Sequence, residues 1–227
     1  SDWSSDVCSS DLLALHADEV TQVEQAVAEA AQRGTAPMVM VGFNRRFAPL
    51  VVRTKSFFDA VSPKMIFYRV NAGPLPASHW TQDEHEGGGR IIGEGCHFID
   101  TAAYLVGDVM PRSVSARSIA SGRADTVDRD TVTITVEYED GSVATILYIA
   151  NGDRGLPKEE IQVFSNGRTA IMRNFTELEL WTGNGKPTTE KGTGKGHAEE
   201  VKAFLASLGA SGEAPIPFDS LMATTLV

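Results

Sequence analysis

A glycine-rich stretch that runs into a short amphipathic helix most constrains what this chain can fold into. Residues 86–100 read Glu-Gly-Gly-Gly-Arg-Ile-Ile-Gly-Glu-Gly-Cys-His-Phe-Ile-Asp. Three consecutive glycines allow positive φ angles or a close approach of the backbone to another group. The apolar residues that follow have helical spacing and stop at Gly107: Phe98, Ile99, Ala102, Ala103, Leu105 and Val106. The pattern predicts a loop that leads into a helix beginning near His97.

Three polar residues, Glu94, His97 and Asp100, stand at spacings of three where this helix begins. Histidine titrates near neutral pH, so His97 is a candidate general acid/base. By spacing alone, a histidine that satisfies a helix terminus is the favoured interpretation. A metal site is the weakest interpretation, because three residues at this spacing match no common ligand pattern and no second cluster completes them.

The composition indicates a folded protein that does not bind polyanions. The chain has 227 residues, 42% hydrophobic content and a net charge of −10. The charge argues against nucleic acids and anionic membrane surfaces as partners. We find no apolar stretch of membrane-spanning length and no signal peptide, and two cysteines do not suggest a disulfide framework. We therefore expect a cytoplasmic protein.

Hydrophobic periodicity predicts an α+β fold with an open, mostly antiparallel sheet and helices on one face. The clearest strand is residues 131–137, where Val132, Ile134 and Val136 alternate with threonines, and residues 143–149 complete a hairpin. Further strands are predicted at residues 38–41, 64–71, 113–120, 159–165, 168–172 and 178–181, and helices at residues 18–31, 47–61 and 199–208 and from Asp219 onward.

A proline-containing loop at residues 73–83 carries the pair His79-Trp80. An exposed pair of this kind shapes a substrate pocket in some proteins. In others, the tryptophan holds the loop against the core. We regard both interpretations as equally supported by the sequence.

Several motifs together resemble the glucose–fructose oxidoreductase / inositol dehydrogenase / MocA family. The first is Gly-Gly-Gly-x₅-Gly-x-His-x₂-Asp, which ends at Asp100. The segments at residues 42–49, 195–197 and 215–218 are similar to the family's domain junction and C-terminal part. The resemblance covers residues 13–227, and its details are similar to the MocA-like half of bi-domain proteins that also carry an alcohol-dehydrogenase-like domain.

The resemblance implies a Rossmann domain followed by an α+β substrate domain, with NAD or NADP as cofactor. It implies hydride transfer to or from a carbohydrate-like substrate, either a sugar or a polyol, with His97 as the catalytic acid/base and pairing of identical subunits through the sheet face. The residues proposed for the substrate pocket are Asn44, Arg45, Asn71, His79, Trp80, Glu94 and Asp100. The alternative is a non-catalytic binding or assembly module that uses the open sheet face.

The sequence departs from the family pattern at two places. Gly93 occupies the position of an aspartate found in many members, and a neighbouring Glu94 would point the opposite way if this backbone were extended. No G-x-G-x-x-G follows a strand, and Asp11 and Leu12 replace the family's Lys-Pro before Leu13. The main cofactor site is therefore expected to be missing.

These departures lead to a predicted division of the chain. Residues 1–12 are serine- and aspartate-rich and resemble a translated sequencing adapter, so we expect a disordered artefact. Residues 13–42 are predicted to be the remnant of a Rossmann domain, and residues 43–227 the substrate-binding and oligomerisation domain. We expect a gene truncated at both ends, whose product is inactive by itself.

Overall fold

One eight-stranded sheet organises the fold, in a computed structural model that describes residues 12–34, 38–59, 61–76, 78–79, 89–120, 129–183, 185–209 and 213–227. The strands are β1 Met65–Asn71, β2 Pro111–Ile119, β3 Thr131–Tyr138, β4 Val143–Ile149, β5 Glu159–Ser165, β6 Arg168–Arg173, β7 Glu177–Thr182 and β8 Thr188–Lys191. Their order across the sheet is β2-β3-β4-β1-β5-β6-β7-β8.

Five α-helices accompany the sheet within the described residues. They are α1 Ala17–Gln32, α2 Pro49–Phe58, α3 Gly89–Val106, α4 His197–Gly209 and α5 Phe218–Leu226. A short 3₁₀ helix, Asn44–Phe47, precedes α2. Asp18 and Glu19 lie in the first turn of α1, where carboxylates favour the helix dipole. The predicted α+β class is confirmed.

Strand β1 lies in the middle of the sheet and makes the one parallel pair among the described strands. It runs parallel to β4 and antiparallel to β5, whereas the other neighbouring strands are antiparallel. A parallel pair needs a crossover connection. Helix α3 and the strands β2 and β3 lie within that connection, which places α3 against β1 and β4.

The core lies between the sheet and the helices α2 and α3. Strand β3 buries Val132, Ile134 and Val136 on this side, as the alternation predicts. The predicted hairpin is also confirmed, because β3 pairs antiparallel with β4 over residues 132–148. Strands β1 and β5 alternate in the same way, so one face of the sheet is covered and the other is not.

A second, smaller apolar cluster joins the start of the described chain to its end. Its buried members are Val41, Phe43, Cys96, Ile216 and Leu221. Leu12 and Leu13 pack against this cluster. Residues 1–11 lie outside the described residues, whereas Leu12, the last residue of the predicted artefact, contributes to packing.

The structure corrects three predicted elements. The strand predicted at residues 38–41 does not form, because no strand in the described part of the chain pairs with this segment. The sequence does not predict strand β8, because this strand has four residues and all of them are polar. Helix α3 begins at Gly89, whose φ is +79°, and not near His97. Burial of α3 outweighs the propensity cost of about 1 kcal/mol for each of Gly93 and Gly95.

None of the helices in the described ranges is long and apolar enough to cross a membrane.

Candidate functional site

Helix α3 carries a buried polar stripe formed by Arg90, Glu94 and His97. The three residues are spaced by four and then three positions, so they share one face of the helix. Their exposures are 1%, 7% and 3%. Because Gly93 to Gly95 are helical and not extended, Glu94 precedes His97 by about one turn. The expected reversal of the Glu94 side chain is therefore wrong.

Glu94 is held in place by a tyrosine from β4. The hydroxyl of Tyr148 donates a hydrogen bond of 2.8 Å to Glu94 Oε2, and Arg90 Nε lies 3.7 Å from Glu94 Oε1. Burial, reinforced by the charge of Glu94, raises the pKa of Tyr148 well above its ordinary value. Tyr148 therefore keeps its proton and acts as a donor to the carboxylate.

Arg90 is buried, but not all of its guanidinium nitrogens form hydrogen bonds. Its Nη1 donates to the carbonyl oxygen of Gly73 at 2.8 Å, and its Cζ lies 5.3 Å from the centre of the Tyr148 ring. Its Nε and Nη2 have no hydrogen-bond partner in the described structure. Buried polar groups are normally satisfied, so these donors favour a site that accepts a polar ligand.

His97 lies about two turns inside α3. Its ring meets the ring of Phe43 edge to face, with 5.9 Å between the ring centres. The hydroxyl of Thr101 donates to the backbone oxygen of His97 at 2.7 Å. The free N–H groups of a helix belong to its first turn, so the interpretation of His97 as a residue that satisfies a helix terminus is wrong.

A second buried carboxylate, Glu159 at the start of β5, forms ion pairs with basic residues from distant parts of the chain. Arg45 Nε and Nη2 lie 3.0 and 3.2 Å from its two oxygens, and Lys195 Nζ lies 3.3 Å from Oε1. The Tyr68 hydroxyl donates to the same carboxylate. Burial opposes ionisation, but Arg45 and Lys195 outweigh it and hold the pKa of Glu159 well below its usual range.

Asn44 and Arg45 belong to this second cluster. The Nδ2 group of Asn44 donates to the backbone oxygen of Lys195 at 2.9 Å, and Arg45 lies 5.0 Å from the ring centre of Phe98. Both residues are buried. The structure thus brings two of the predicted pocket residues together with Lys195 and Glu159.

An open cleft of about 560 Å³ lies where β1 ends and β5 begins. Asn71 anchors one wall, because its Nδ2 donates to the backbone oxygens of Asp153 and Leu156 at 2.7 and 3.2 Å. A side chain at Gly152 would place its Cβ 2.0 Å from Asn71 Oδ1, so glycine is required there. The described residues that line the cleft are Asn71, Ala72, Arg154, Gly155, Leu156, Pro157, Lys158 and Asn174.

Lys158 lines the cleft and directly precedes Glu159 in the sequence. Burial and the nearby Lys195 lower the pKa of Lys158 to about 8, while the charges of Glu159 and Glu94 oppose the shift. A pKa of about 8 leaves this amine mostly charged at neutral pH.

Asp100 serves a different part of the molecule. It is buried and accepts two hydrogen bonds from Arg46 Nε, at 3.1 and 3.0 Å. Arg46 also reaches Ser220 on α5 at 3.1 Å and Asp108 at 3.3 Å. Asp100 thus joins α3 to the 3₁₀ helix and α5, and it lies on a different face of α3 from Glu94.

The other predicted loop residues are only partly described. His79 is half-buried, and its backbone N–H donates to Pro76 at 3.0 Å. Trp80 lies outside the described residues.

The described residues do not fit the phosphates of a dinucleotide. Within the described ranges, no G-x-G-x-x-G turn connects a strand to a helix, and glycines 183, 185, 192, 194 and 196 flank β8 and precede α4. The described part of the chain also holds no group of three or more side chains placed to bind a metal. The chemistry of this site therefore has to be argued from its polar side chains.

Sequence reasoning missed the residues that complete the site. Arg90, Tyr148, Lys158, Glu159 and Tyr68 were not predicted, and Lys195 was noted only as part of a motif. Arg45 and Glu159 are separated by 114 positions, so no local spacing reveals their pairing. A single usable signal was the charged pair Lys158-Glu159 directly before an apolar strand.

Comparison with known proteins confirms the resemblance seen in the sequence. Residues 61–165 match the family model of the GFO/IDH/MocA C-terminal domain. The chain is 28% identical over 195 residues to inositol 2-dehydrogenase 2 of Saccharopolyspora erythraea, a match that covers 82% of this chain. The match covers 55% of that enzyme, so the chain spans about half the length of its curated relative.

Solved structures with the same fold include two oxidoreductases. One is an NAD binding oxidoreductase from Klebsiella pneumoniae, with a TM-score of 0.76 and 18% identity, covering 94% of this chain and 67% of that one. The other is an aldose-aldose oxidoreductase from Caulobacter crescentus, with a TM-score of 0.74 and 15% identity, covering 94% and 65%. At these identities, the likeness shows the fold alone.

Proposed function

We propose that this chain is the substrate-binding part of an NAD(P)-dependent oxidoreductase, because residues 61–165 match the family model of the GFO/IDH/MocA C-terminal domain. The substrate is a sugar-like or polyol molecule, as the name of the inositol dehydrogenase relative suggests. The nicotinamide takes or gives the hydride when it is bound. The residues of this chain hold the alcohol and move its proton.

One observation carries this proposal: α3 holds a buried stripe of polar side chains, in which two nitrogens of Arg90 have no hydrogen-bond partner in the described structure. Polyhydroxyl ligands need several fixed donors and acceptors at once. Glu94 and Arg90 supply them from α3, and Tyr148 fixes the Glu94 carboxylate. Asn44 and Arg45 support the site from the second cluster.

His97 is our candidate for the proton transfer. It follows Glu94 on the same face of α3, and the ordinary pKa of histidine lies close to neutral pH. In the oxidation direction, an imidazole nitrogen accepts the proton of the substrate hydroxyl as the C–H hydride leaves. In the reverse direction, the same nitrogen returns the proton. The edge-to-face contact with Phe43 supports one orientation of the ring.

We also propose that the chain is a fragment of this enzyme. The partial coverage of the curated relative supports this, as does the lack of a phosphate-binding turn in the described residues. Residues 13–42 then belong to the Rossmann domain and residues 43–227 to the substrate domain. Residues 1–12 are the adapter-derived segment, and the hydride-transfer reaction needs the longer protein.

Calorimetry on the 227-residue chain tests whether this chain binds the substrate but not the cofactor. We expect binding of a carbohydrate such as myo-inositol or glucuronate without cofactor, weakened in Glu94→Gln and in Asn71→Ala. We expect no tight binding of NAD or NADP. Micromolar affinity for either cofactor would refute the fragment proposal, and a chain that binds no carbohydrate would refute its role as a substrate domain.

The uncovered sheet face supports pairing of two identical chains. Met65 and Phe164 are cross-strand neighbours on β1 and β5, and they are 52% and 39% exposed. Exposed apolar side chains that lie together favour an interface. A non-catalytic assembly module would use this same face, but it would leave the buried charges next to the cleft without a role.

A further inference from the structure

Three arginines are buried among the described residues, and they differ in how one edge of the guanidinium is used. In Arg45, the edge formed by Nε and Nη2 donates to Glu159 at 3.0 and 3.2 Å. In Arg46, the same edge donates to Asp100 at 3.0 and 2.5 Å. In Arg90, neither Nε nor Nη2 has a hydrogen-bond partner in the described structure. This edge of Arg90 therefore offers two parallel donors, which suit two neighbouring acceptor oxygens.

Glu94 is the carboxylate that could fill this edge, since it follows Arg90 by four positions on α3. Its Oε1 lies 3.7 Å from Arg90 Nε, which is longer than a hydrogen bond. Its other oxygen, Oε2, accepts from the hydroxyl of Tyr148 on β4 at 2.8 Å. Tyr148 thus holds the carboxylate at this distance. The two charges offset each other, while the two nitrogens of Arg90 stay available to a ligand.

The guanidinium of Arg90 is fixed by contacts on its other sides. Its Nη1 donates to the backbone oxygen of Gly73 at 2.8 Å, and its Cζ lies 5.3 Å from the centre of the Tyr148 ring. The side chain of Arg90 is fully buried, whereas that of Glu94 is 9% exposed. A ligand therefore reaches the pair from the side of Glu94, and it meets donors that are already oriented.

We propose that Arg90 and Glu94 bind two adjacent hydroxyl groups of a neutral polyol, and that Tyr148 keeps this subsite open by holding Glu94 away from Arg90. A hydroxyl both accepts and donates, so the first one accepts from Arg90 and donates to Glu94 Oε1. The second accepts from the other nitrogen of the edge. A ligand carboxylate would lie against Glu94, where like charges repel. The inference rests on the proposed function, because it names the substrate class of the same site.

Calorimetry on the 227-residue chain with myo-inositol, in which every hydroxyl has a neighbour, tests the subsite. Arg90→Lys keeps the positive charge but loses the edge with two donors. We expect it to bind myo-inositol at least about tenfold more weakly, the effect of one charge-assisted hydrogen bond. Arg53→Lys is the control, because Arg53 pairs with Glu190 at the surface and should leave the affinity unchanged. The melting temperature of each variant shows whether it is folded.

Tyr148→Phe provides a second test, which leaves Arg90 itself in place. Without the hydroxyl, Glu94 closes onto Arg90, and we expect about tenfold weaker binding of myo-inositol. In the Glu94→Gln background, which lacks the competing charge, the same substitution should change the affinity less than about twofold. Tyr138→Phe is the matched control, because Tyr138 is buried and its hydroxyl has no hydrogen-bond partner in the described structure. An effect of equal size in both backgrounds, or none in either, refutes the role of Tyr148.

The remaining outcomes separate this subsite from the proposed function, with glucuronate as the second probe. Binding of myo-inositol that Arg90→Lys leaves unchanged refutes the subsite and keeps the substrate domain. Glucuronate that binds where myo-inositol does not, or that binds Glu94→Gln more tightly than the wild type, shows a carboxylate at the Arg90 edge and refutes the neutral ligand. A chain that binds neither probe refutes the proposed function itself.

Discussion

A single buried carboxylate, Glu159, shows how strongly this domain depends on charge pairing. It is 1% exposed and is surrounded by Arg45, Lys195 and Tyr68. Breaking a buried pair costs far more than breaking an exposed one, because the remaining charge stays out of water. Residue-scale predictions therefore concern stability at Glu159 and chemistry at His97.

The stability of the chain should fall in acid because of Glu159. Burial raises its pKa, but Arg45 and Lys195 outweigh burial, so the net pKa lies below 4.5. Below about pH 4.5 the unfolded chain takes up a proton at this residue while the folded chain does not. The free energy of unfolding therefore decreases as the pH falls through this range. Urea unfolding at pH 3.5, 5 and 7 measures this decrease.

Glu159→Gln provides the matching variant. It should destabilise the chain by about 3–5 kcal/mol at pH 7 and flatten the acid dependence. Glu190→Gln is the control, because Glu190 pairs with Arg53 at the surface and should cost less than about 1 kcal/mol. Equal costs for the two variants would contradict the role of Glu159.

In the longer oxidoreductase that we propose, His97→Gln should lower kcat by ~10²–10⁴, the usual effect of removing a general base. Glutamine keeps a polar side chain of similar size, which limits the disturbance of a residue that is 3% exposed. Measuring kcat per folded molecule together with the melting temperature separates chemistry from stability. Full turnover with a lowered melting temperature would make His97 a structural residue.

At the scale of elements, α3 matters because of its length and its two faces. It begins eight residues earlier than the sequence predicts, and this places Arg90, Glu94 and His97 on one continuous stripe. Another face packs Phe98 and Leu105 into the core. The backbone just before α4, at Gly196, packs directly against the backbone of the 3₁₀ helix and the residue after it.

Gly196→Ala should destabilise the chain by more than about 2 kcal/mol. Gly196 has a φ of +91°, and an added Cβ would lie 2.5 Å from Ala48 N and Asn44 O, both backbone atoms. The left-handed backbone alone costs about 1–2 kcal/mol for alanine, and the clash adds to it. Denaturant unfolding measures the loss.

Gly183→Ala is the control for this prediction. Gly183 also has a positive φ, of +66°, but no atom lies within 4 Å of its added Cβ. Only the backbone cost of about 1–2 kcal/mol should appear there. If both variants lose the same free energy, the close approach at Gly196 has no energetic importance.

On the scale of the whole molecule, the sheet has one face covered by α2 and α3 and one face left open. The residues of the open face are half-buried or exposed, and Met65 and Phe164 are its exposed apolar pair. An open antiparallel face of this kind either faces water with polar residues or pairs with another surface. The apolar pair favours the second outcome.

Phe164→Glu should therefore convert a dimer into a monomer, or raise its dissociation constant at least about tenfold, as truncation of a central apolar contact does. Light scattering after size exclusion measures the mass. Val114→Glu is the control, because Val114 is 47% exposed but pairs with Val136, on the face that α3 covers. A wild-type chain that is monomeric at high concentration would contradict the proposal.

The sequence by itself determined the elements whose signals are local. The alternation of Val132, Ile134 and Val136 predicted a half-buried strand. The strands predicted at residues 159–165 and 168–172 form the β5–β6 hairpin, and the Asn166-Gly167 pair between them is typical of such a turn. These predictions were confirmed because side-chain alternation and turn geometry depend on neighbouring residues only. The spacing of polar residues before Gly107 also made Glu94, His97 and Asp100 candidates for the site.

The tertiary structure decided which charges meet. Arg45 and Glu159 come together because β5 lies beside β1, and Tyr148 reaches Glu94 because α3 crosses β4. It also decided where α3 begins, since burial against the sheet stabilises a helix that contains Gly93 and Gly95. Such pairings join residues far apart in the chain, and only the arrangement of strands and helices brings their side chains within a few ångströms.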